Sequence, residues 1–200
     1  MNSQAISLYQ KRRSQYVLGR NLPVGQDEVT ALIKHAMREA PSAFNSQPTR
    51  ALILYGAQSV KFWELTKGAL RAIVPAEAFA ATSNKLDSFA AGAGTVLFFN
   101  DEDVTKGLQD QFPLYADNFP VWAEHANGIA QSAVWTALAE ANIGASLQHY
   151  NPLVDEAVRR EWGIAANWQL RAQMPFGSIE APAGAKTYMD DAERFRVFGQ

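Results

Sequence analysis

Two runs of residues constrain this chain more than anything else in it: "ALILY" at 51–55 and "TVLFF" at 95–99. Neither contains a charge, and neither alternates polar with apolar side chains, as a strand wetted on one face must. Continuous runs of this kind fit buried strands covered on both faces. Any fold for the chain therefore needs helices on two sides of a sheet. Its 200 residues, 48% of them hydrophobic, suffice, since a chain of this length buries roughly 70% of its unfolded surface. A single domain over residues 1–200 is expected.

The helices are read from spacing. Residues 3–12 form a short helix that ends in the basic run Lys11, Arg12 and Arg13, followed by a turn region at Gly19, Asn21, Pro23 and Gly25. Val29, Leu32, Ile33, Ala36, Met37 and Ala40 repeat as one buried helical face, with Asp27 placed to cap it, and Pro41 stops it. Further helices are expected over 58–74, 103–111 and 152–162, while 76–93 fits either helix or loop. A long helix over 121–142 carries an Ala-rich stripe and stops at Gly144. Residues 113–120 read as a surface connection, 145–150 and 168–176 as strands, and the tail 193–198 alternates with period two, as an extended segment does. Strands and helices mix without βαβ repetition, so a mixed sheet covered on both faces is preferred to a doubly wound parallel fold.

Several chemistries are excluded. There is no cysteine, hence no disulfide framework, iron–sulfur site or thiol nucleophile. A net charge of −2 lacks the basic footprint of a nucleic-acid binder. The first residues lack the 7–15-residue apolar stretch of a secretory signal, and no window reaches the ~20 apolar residues of a membrane span. A soluble cytoplasmic protein with no nucleic-acid or membrane partner is expected. The glycines of "GAGTVLFF" open a strand, whereas a phosphate-binding glycine loop opens a helix, so they read as a turn into a buried strand. His35, His125 and His149 show no metal-ligand spacing, and "GASLQ" lacks the closing glycine of a nucleophile elbow.

Two features remain. Lys11, Arg12 and Arg13 could simply end a helix at its negative pole, or Arg12 and Arg13 with Ser14 could grip a phosphate. Arg194 and Arg196, two apart on the extended tail, would project from one face, and convergence of the two pairs would make a phosphate pocket. The loop "APSAFNSQPTR" at 40–50 contains no strong acid, base or nucleophile, yet it is dense in amides and hydroxyls stiffened by proline.

Taken in order, "KRRSQY", "APSAFNSQPTR", "GTVLFF", "GASLQHYNP" and "ERFRVFG" resemble the nitroreductase family, over nearly the whole chain, and most of all its short fungal- and bacterial-type branch of about 200 residues. The resemblance implies an α+β three-layer α/β/α sandwich with a mixed, mainly antiparallel sheet, active as an intertwined homodimer with FMN at the subunit interface. It implies that Arg12, Arg13 and Ser14 hold the FMN phosphate and ribityl chain together with Arg194 and Arg196. Pro41, Ser42, Asn45 and Gln47 would line the flavin from the other subunit. Leu147, Gln148 and His149 would run beside the isoalloxazine and offer it a backbone N–H, and Asn84 and Lys85 would meet its pyrimidine edge.

The implied activity is hydride transfer from NADH or NADPH, through flavin N5, to a nitroaromatic, quinone or similar small-molecule acceptor. A flavin-binding regulatory or FMN-storage protein with little turnover is the alternative. Because a flavin supplies the redox chemistry, its protein needs fixed donors and acceptors rather than a nucleophile, which accounts for the composition of the 40–50 loop. The aromatics Phe112, Tyr115, Phe119 and Trp122 are placed to lid the site by stacking. The chain departs from the family pattern at Tyr16, where an Arg is common, at Thr49, where an aromatic is, and at Ala90, where a basic residue is, leaving Lys85 as the candidate cation near flavin N1 and O2.

Overall fold

The computed structural model describes residues 3–199, so Met1, Asn2 and Gln200 of the expected domain lie outside the described residues. In chain order the elements are α1 (Gln4–Lys11), β1 (Leu18–Gly19), α2 (Gln26–Glu39), β2 (Thr49–Tyr55), α3 (Gly56–Arg71), α4 (Ala76–Ala90), β3 (Gly94–Asp101), α5 (Glu102–Gln111), α6 (Asn118–Glu140), β4 (Gly144–Ala145), α7 (Asp155–Trp162), β5 (Trp168–Ile179) and α8 (Asp191–Arg194). The sheet runs β1-β5-β3-β2, with β4 also paired to β5. Every ladder is antiparallel. The parallel component is one isolated bridge, Ser14 to Ala145.

All eight residues of β3 are buried, and their alternation divides the core. Val96 and Phe98 pack with Val29 and Ile33 of α2 and Val134 and Leu138 of α6. Leu97 and Phe99 pack on the opposite face with Phe62 and Trp63 of α3, Leu86 and Phe89 of α4 and Val158 of α7. A period-two strand with apolar residues at both parities has to be sandwiched. The three-layer architecture follows. β2 is less buried than its composition suggests, only Leu54 being fully covered, because it is the last strand of the sheet and its outer edge has no neighbour.

The boundary between the layers carries polar groups that are fully paired. Thr95 Oγ1, inaccessible to solvent, receives the Trp63 indole N–H at 2.9 Å and lies 2.7 Å from Ser59 Oγ. Thr95→Val, close in shape, would leave the buried Trp63 N–H without its acceptor and Ser59 Oγ without its partner. A loss of about 1–3 kcal/mol is expected, read as a lower denaturant midpoint with unchanged slope.

Several expectations are corrected. Asp27 does not cap α2: Gly25 is the cap residue, and Asp27 and Glu28 sit in the first turn, where they favour the positive pole of the helix. Residues 76–90 are helix throughout, ordered by burial of Leu86 and Phe89. α6 begins three residues earlier than its apolar spacing shows, because Pro120 falls in its first turn, where a missing N–H breaks no helical bond. The glycines entering β3 are needed for space: a Cβ on Gly92 would lie 2.8 Å from the Phe176 carbonyl oxygen, and one on Gly94, the first residue of β3, 2.6 Å from the Leu54 carbonyl oxygen and 2.5 Å from the Phe176 ring. The tail is not a strand. It forms the four-residue helix α8, ending at Arg194, and then runs on exposed.

Among the described residues no helix is long and apolar enough to cross a membrane, and no cluster of His, Asp and Glu is arranged to hold a metal ion.

Candidate functional site

The chain leaves α1 in an extended conformation at Arg12, where successive side chains point to opposite sides. Arg12 turns inward and lies with its guanidinium carbon 4.4 Å from the centre of the Trp135 ring on α6. Arg13 turns to the C-terminal tail and donates from Nη2 to the Gly184 carbonyl at 2.7 Å. Lys11 Nζ donates to the Glu140 carbonyl at 2.8 Å, at the negative pole of α6. Ser14 is bridged to Ala145, whose carbonyl accepts from Gln15 N–H at 2.9 Å and from the Trp135 indole N–H at 3.1 Å. The Arg12–Ser14 element is thereby fastened beside β4 and the segment that follows it.

That segment zips onto β5 through alternate residues. Ser146 N–H goes to Pro175 O at 3.3 Å, Gln148 N–H to Gln173 O at 2.8 Å, and Tyr150 N–H to the Gln173 side-chain oxygen at 2.7 Å. The intervening N–H groups of Leu147 and His149 point away from β5, and no partner for them occurs among the described residues. Of the three residues expected to offer a backbone donor, Leu147 and His149 have one to offer and Gln148 does not. Burial pushes the nearby Tyr150 phenol above its ordinary range, favouring the neutral form.

The loop at 41–48 is held in an unusual shape. Phe44, Asn45 and Gln47 all have φ near +50° to +57°, a region that costs non-glycine residues about 1–3 kcal/mol each unless the surroundings impose it. The imposing contacts are visible. Ser42 Oγ accepts Gln47 N–H at 2.9 Å, and Gln47 Nε2 donates to Asn45 O at 3.2 Å. Arg50 Nη1 donates to Gln47 O at 2.6 Å, while its Nη2 pairs with Asp101 Oδ2 at 2.9 Å. The Phe44 ring lies 5.0 Å from Phe112, 5.7 Å from Phe119 and 6.3 Å from Trp122. With Pro41, Ser42, His125 and Ile129, Phe44 and Trp122 line an apolar cavity of about 390 Å³. The expected aromatic group is therefore partly packing: Phe119 is buried, whereas Trp122 faces the cavity, with Tyr115 beside it at 6.4 Å.

These two halves sit at different levels of one helix. Trp135 beneath Arg12 and His125 beside the loop are ten residues apart on α6, about 15 Å at 1.5 Å per residue. Between them Ile129 and Ala133, with Ala137 just beyond Trp135, line a groove of about 500 Å³ with Leu8, Ala36 and Ala40. Of the two other expected pairs, one lies in the opposite layer and the other makes its contacts within the tail. Asn84 and Lys85 are exposed on α4, in the opposite layer, with Lys85 Nζ 5.9 Å from the Phe89 ring. Arg194 lies over Phe195, and Arg196 donates to the Ala192 and Phe195 carbonyls, so the two do not share the strand face expected of them. The ion pairs among the described residues involve none of Arg12, Arg13, Arg194 and Arg196.

Three residues that shape these halves escape a reading of the sequence: Trp135, Phe44 and Arg50. Trp135 looks like one more apolar position of a long helix, and Phe44 is hidden within a polar loop. Only Arg50 leaves a trace, as a cation closing a strained loop just where a strand begins.

A basic element with unspent donors, two outward backbone N–H groups and an apolar cavity are compatible with the class of protein that binds a group which itself carries the electrons, the protein supplying binding and orientation. Comparison with known proteins places the chain within that class. Residues 9–178 match the model described as the Nitroreductase family, and the chain belongs to this family of oxidoreductases. It is 37% identical to HBN1 of Saccharomyces cerevisiae, over 96% of this chain and 98% of that one. It is 36% identical to the nitroreductase FRM2 of the same yeast, over 90% of each. Among solved structures, nitroreductase CinD from Lactococcus lactis in complex with nicotinic acid superposes with a TM-score of 0.92 at 53% identity, covering 98% of this chain and all of that one. CinD has also been solved in complex with 4-nitrophenol.

Proposed function

We propose that the protein is an FMN-dependent NAD(P)H oxidoreductase that reduces nitroaromatic, quinone or related acceptors and works as a homodimer. The observation that carries this is the bridging of Ser14 to Ala145, two residues before the unspent Leu147 N–H, with Arg12 held over Trp135, whose indole also bonds the Ala145 carbonyl. The residues fit the group: guanidinium and hydroxyl suit a phosphate, and paired outward N–H donors suit the polar edge of a flavin ring. When bound, FMN would take a hydride equivalent from NADH or NADPH and return the electrons to the acceptor.

The chain's own residues then have separable tasks. Arg12, Arg13 and Ser14 bind the phosphate and ribityl chain, Leu147 and His149 orient the ring, and Phe44 with Trp122 excludes water and receives a planar aromatic. The aromatic compounds bound to CinD support that last assignment. Separation of the two halves along α6 supports dimerisation. A second α6 packed antiparallel in the groove at Ile129 and Ala133 would carry its own 41–48 loop over the Arg12 element, delivering Pro41, Ser42, Asn45 and Gln47 to it.

Purified protein should show a flavin absorbance spectrum that bleaches on anaerobic addition of NADH or NADPH and recovers with 4-nitrophenol or a quinone, and it should sediment as a dimer. Colourless protein after FMN reconstitution would refute the proposal. Flavin that is bound but not bleached would favour the storage reading.

A further inference from the structure

We infer that Trp135 is a positioning residue for the phosphate end of the cofactor, an inference that rests on the flavin reading above. The donors of a guanidinium lie in its plane. Arg12 lies over the indole with its guanidinium carbon 4.4 Å from the ring centre, and none of its side-chain N–H groups has a hydrogen-bond partner among the described residues, so the contact holds the cation and leaves its donors unspent. Other arginines spend part of theirs within the chain: Arg50 on Gln47, Thr49 and Asp101, Arg13 one nitrogen on Gly184, and Arg196 one nitrogen on its own tail. A carboxylate would also hold Arg12, but it would neutralise the charge that a phosphate monoester needs. An aromatic face holds the cation and leaves both charge and donors for an anion.

The same side chain fixes the rest of the element. At its edge the indole N–H donates to Ala145 O at 3.1 Å, the carbonyl that also accepts Gln15 N–H. One residue of α6 thus sets the guanidinium, the Ser14–Gln15 backbone and β4 relative to one another. Trp135 touches no ligand in this arrangement and acts through Arg12.

The test is a titration of full-length, flavin-stripped protein with FMN and with riboflavin, which lacks the phosphate. Wild type should prefer FMN. Trp135→Met, which removes the ring, should weaken FMN about fivefold to thirtyfold, the range of a cation–π contact, and weaken riboflavin far less, through the lost indole N–H alone. Trp135→Phe, which keeps a π face, should retain most of the preference. Should the Met variant fail to fold, tetrafluorotryptophan at position 135 keeps shape and N–H while weakening the π face, and it should lower FMN affinity selectively. Equal losses for both ligands, or an unchanged FMN preference in the ring-modified variants, would overturn the inference. Wild type that binds FMN with no preference over riboflavin would also overturn it, and wild type that binds no FMN would instead fail the flavin reading itself.

Discussion

Gly177→Ala is expected to lower the thermal midpoint by about 6–12 °C, the shift that a loss of about 3 kcal/mol produces in a chain of this size. A Cβ at this position would stand 2.1 Å from the Gly19 carbonyl oxygen and 3.0 Å from the Ala93 amide nitrogen. Both are backbone atoms, so no side chain can swing aside. β1 would have to leave the edge of β5, giving up the pairing of Leu18 with Ile179 and Gly19 with Ser178. The consequence reaches the site because β1 continues directly from the Arg12–Ser14 element, and Gly177 itself pairs with Gly144 of β4. Cofactor affinity should therefore fall along with stability. Gly163→Ala is the comparison: its φ of +64° makes alanine costly by about 1 kcal/mol, but nothing stands within 4 Å, and cofactor affinity should not move. Equal midpoints for the two variants would show that the close approach at Gly177 is not tight.

Arg50→Met should separate the stability of the fold from the shape of the loop. Arg50 is 30% exposed and Asp101 11% exposed at their side chains, so the pair is partly shielded from water and its loss should cost about 2 kcal/mol, below the value for full burial. The Asp101 carboxylate would keep Asn167 Nδ2 and Asp103 N–H as donors to Oδ1, while Oδ2 would lose the guanidinium. The strained loop would lose its tie at Gln47 O, and cofactor affinity should drop about tenfold as the ordering of that loop is charged to binding. The double variant Arg50→Met/Asp101→Asn removes the unpaired charge and keeps a side chain able to cap α5. It should regain most of the lost stability and none of the lost affinity. Recovery of both would mean that the ion pair alone matters and the loop does not.

The fold was legible where burial imposes a period. β3 reads directly because both parities of "TVLFF" are covered, and α2 reads because Val29 and Ile33 face the sheet while Lys34 and Glu39 face water. The site was legible in its parts, as the basic run, the amide-rich loop and the segment after the long helix, since each joins residue types that core packing does not need. Its assembly was not. The alternation that assigns free N–H groups to Leu147 and His149 depends on pairing with Gln173, a residue 25 positions beyond Gln148. The tail misled because an alternating hexapeptide with no sheet edge beside it takes whatever local hydrogen bonds it can make, here those of α8.

From composition and periodicity alone came the layers and the expectation of one domain, because these depend on how much apolar surface exists and how often it recurs; the redox group was implied only by the resemblance of five ordered motifs to a family. Which cation is held with its donors unspent, which backbone groups face outward and why the 41–48 loop tolerates left-handed residues were settled only by tertiary contacts. The reason is physical: Trp135 meets Arg12, and Arg50 meets Asp101, across separations at which no local rule of sequence operates.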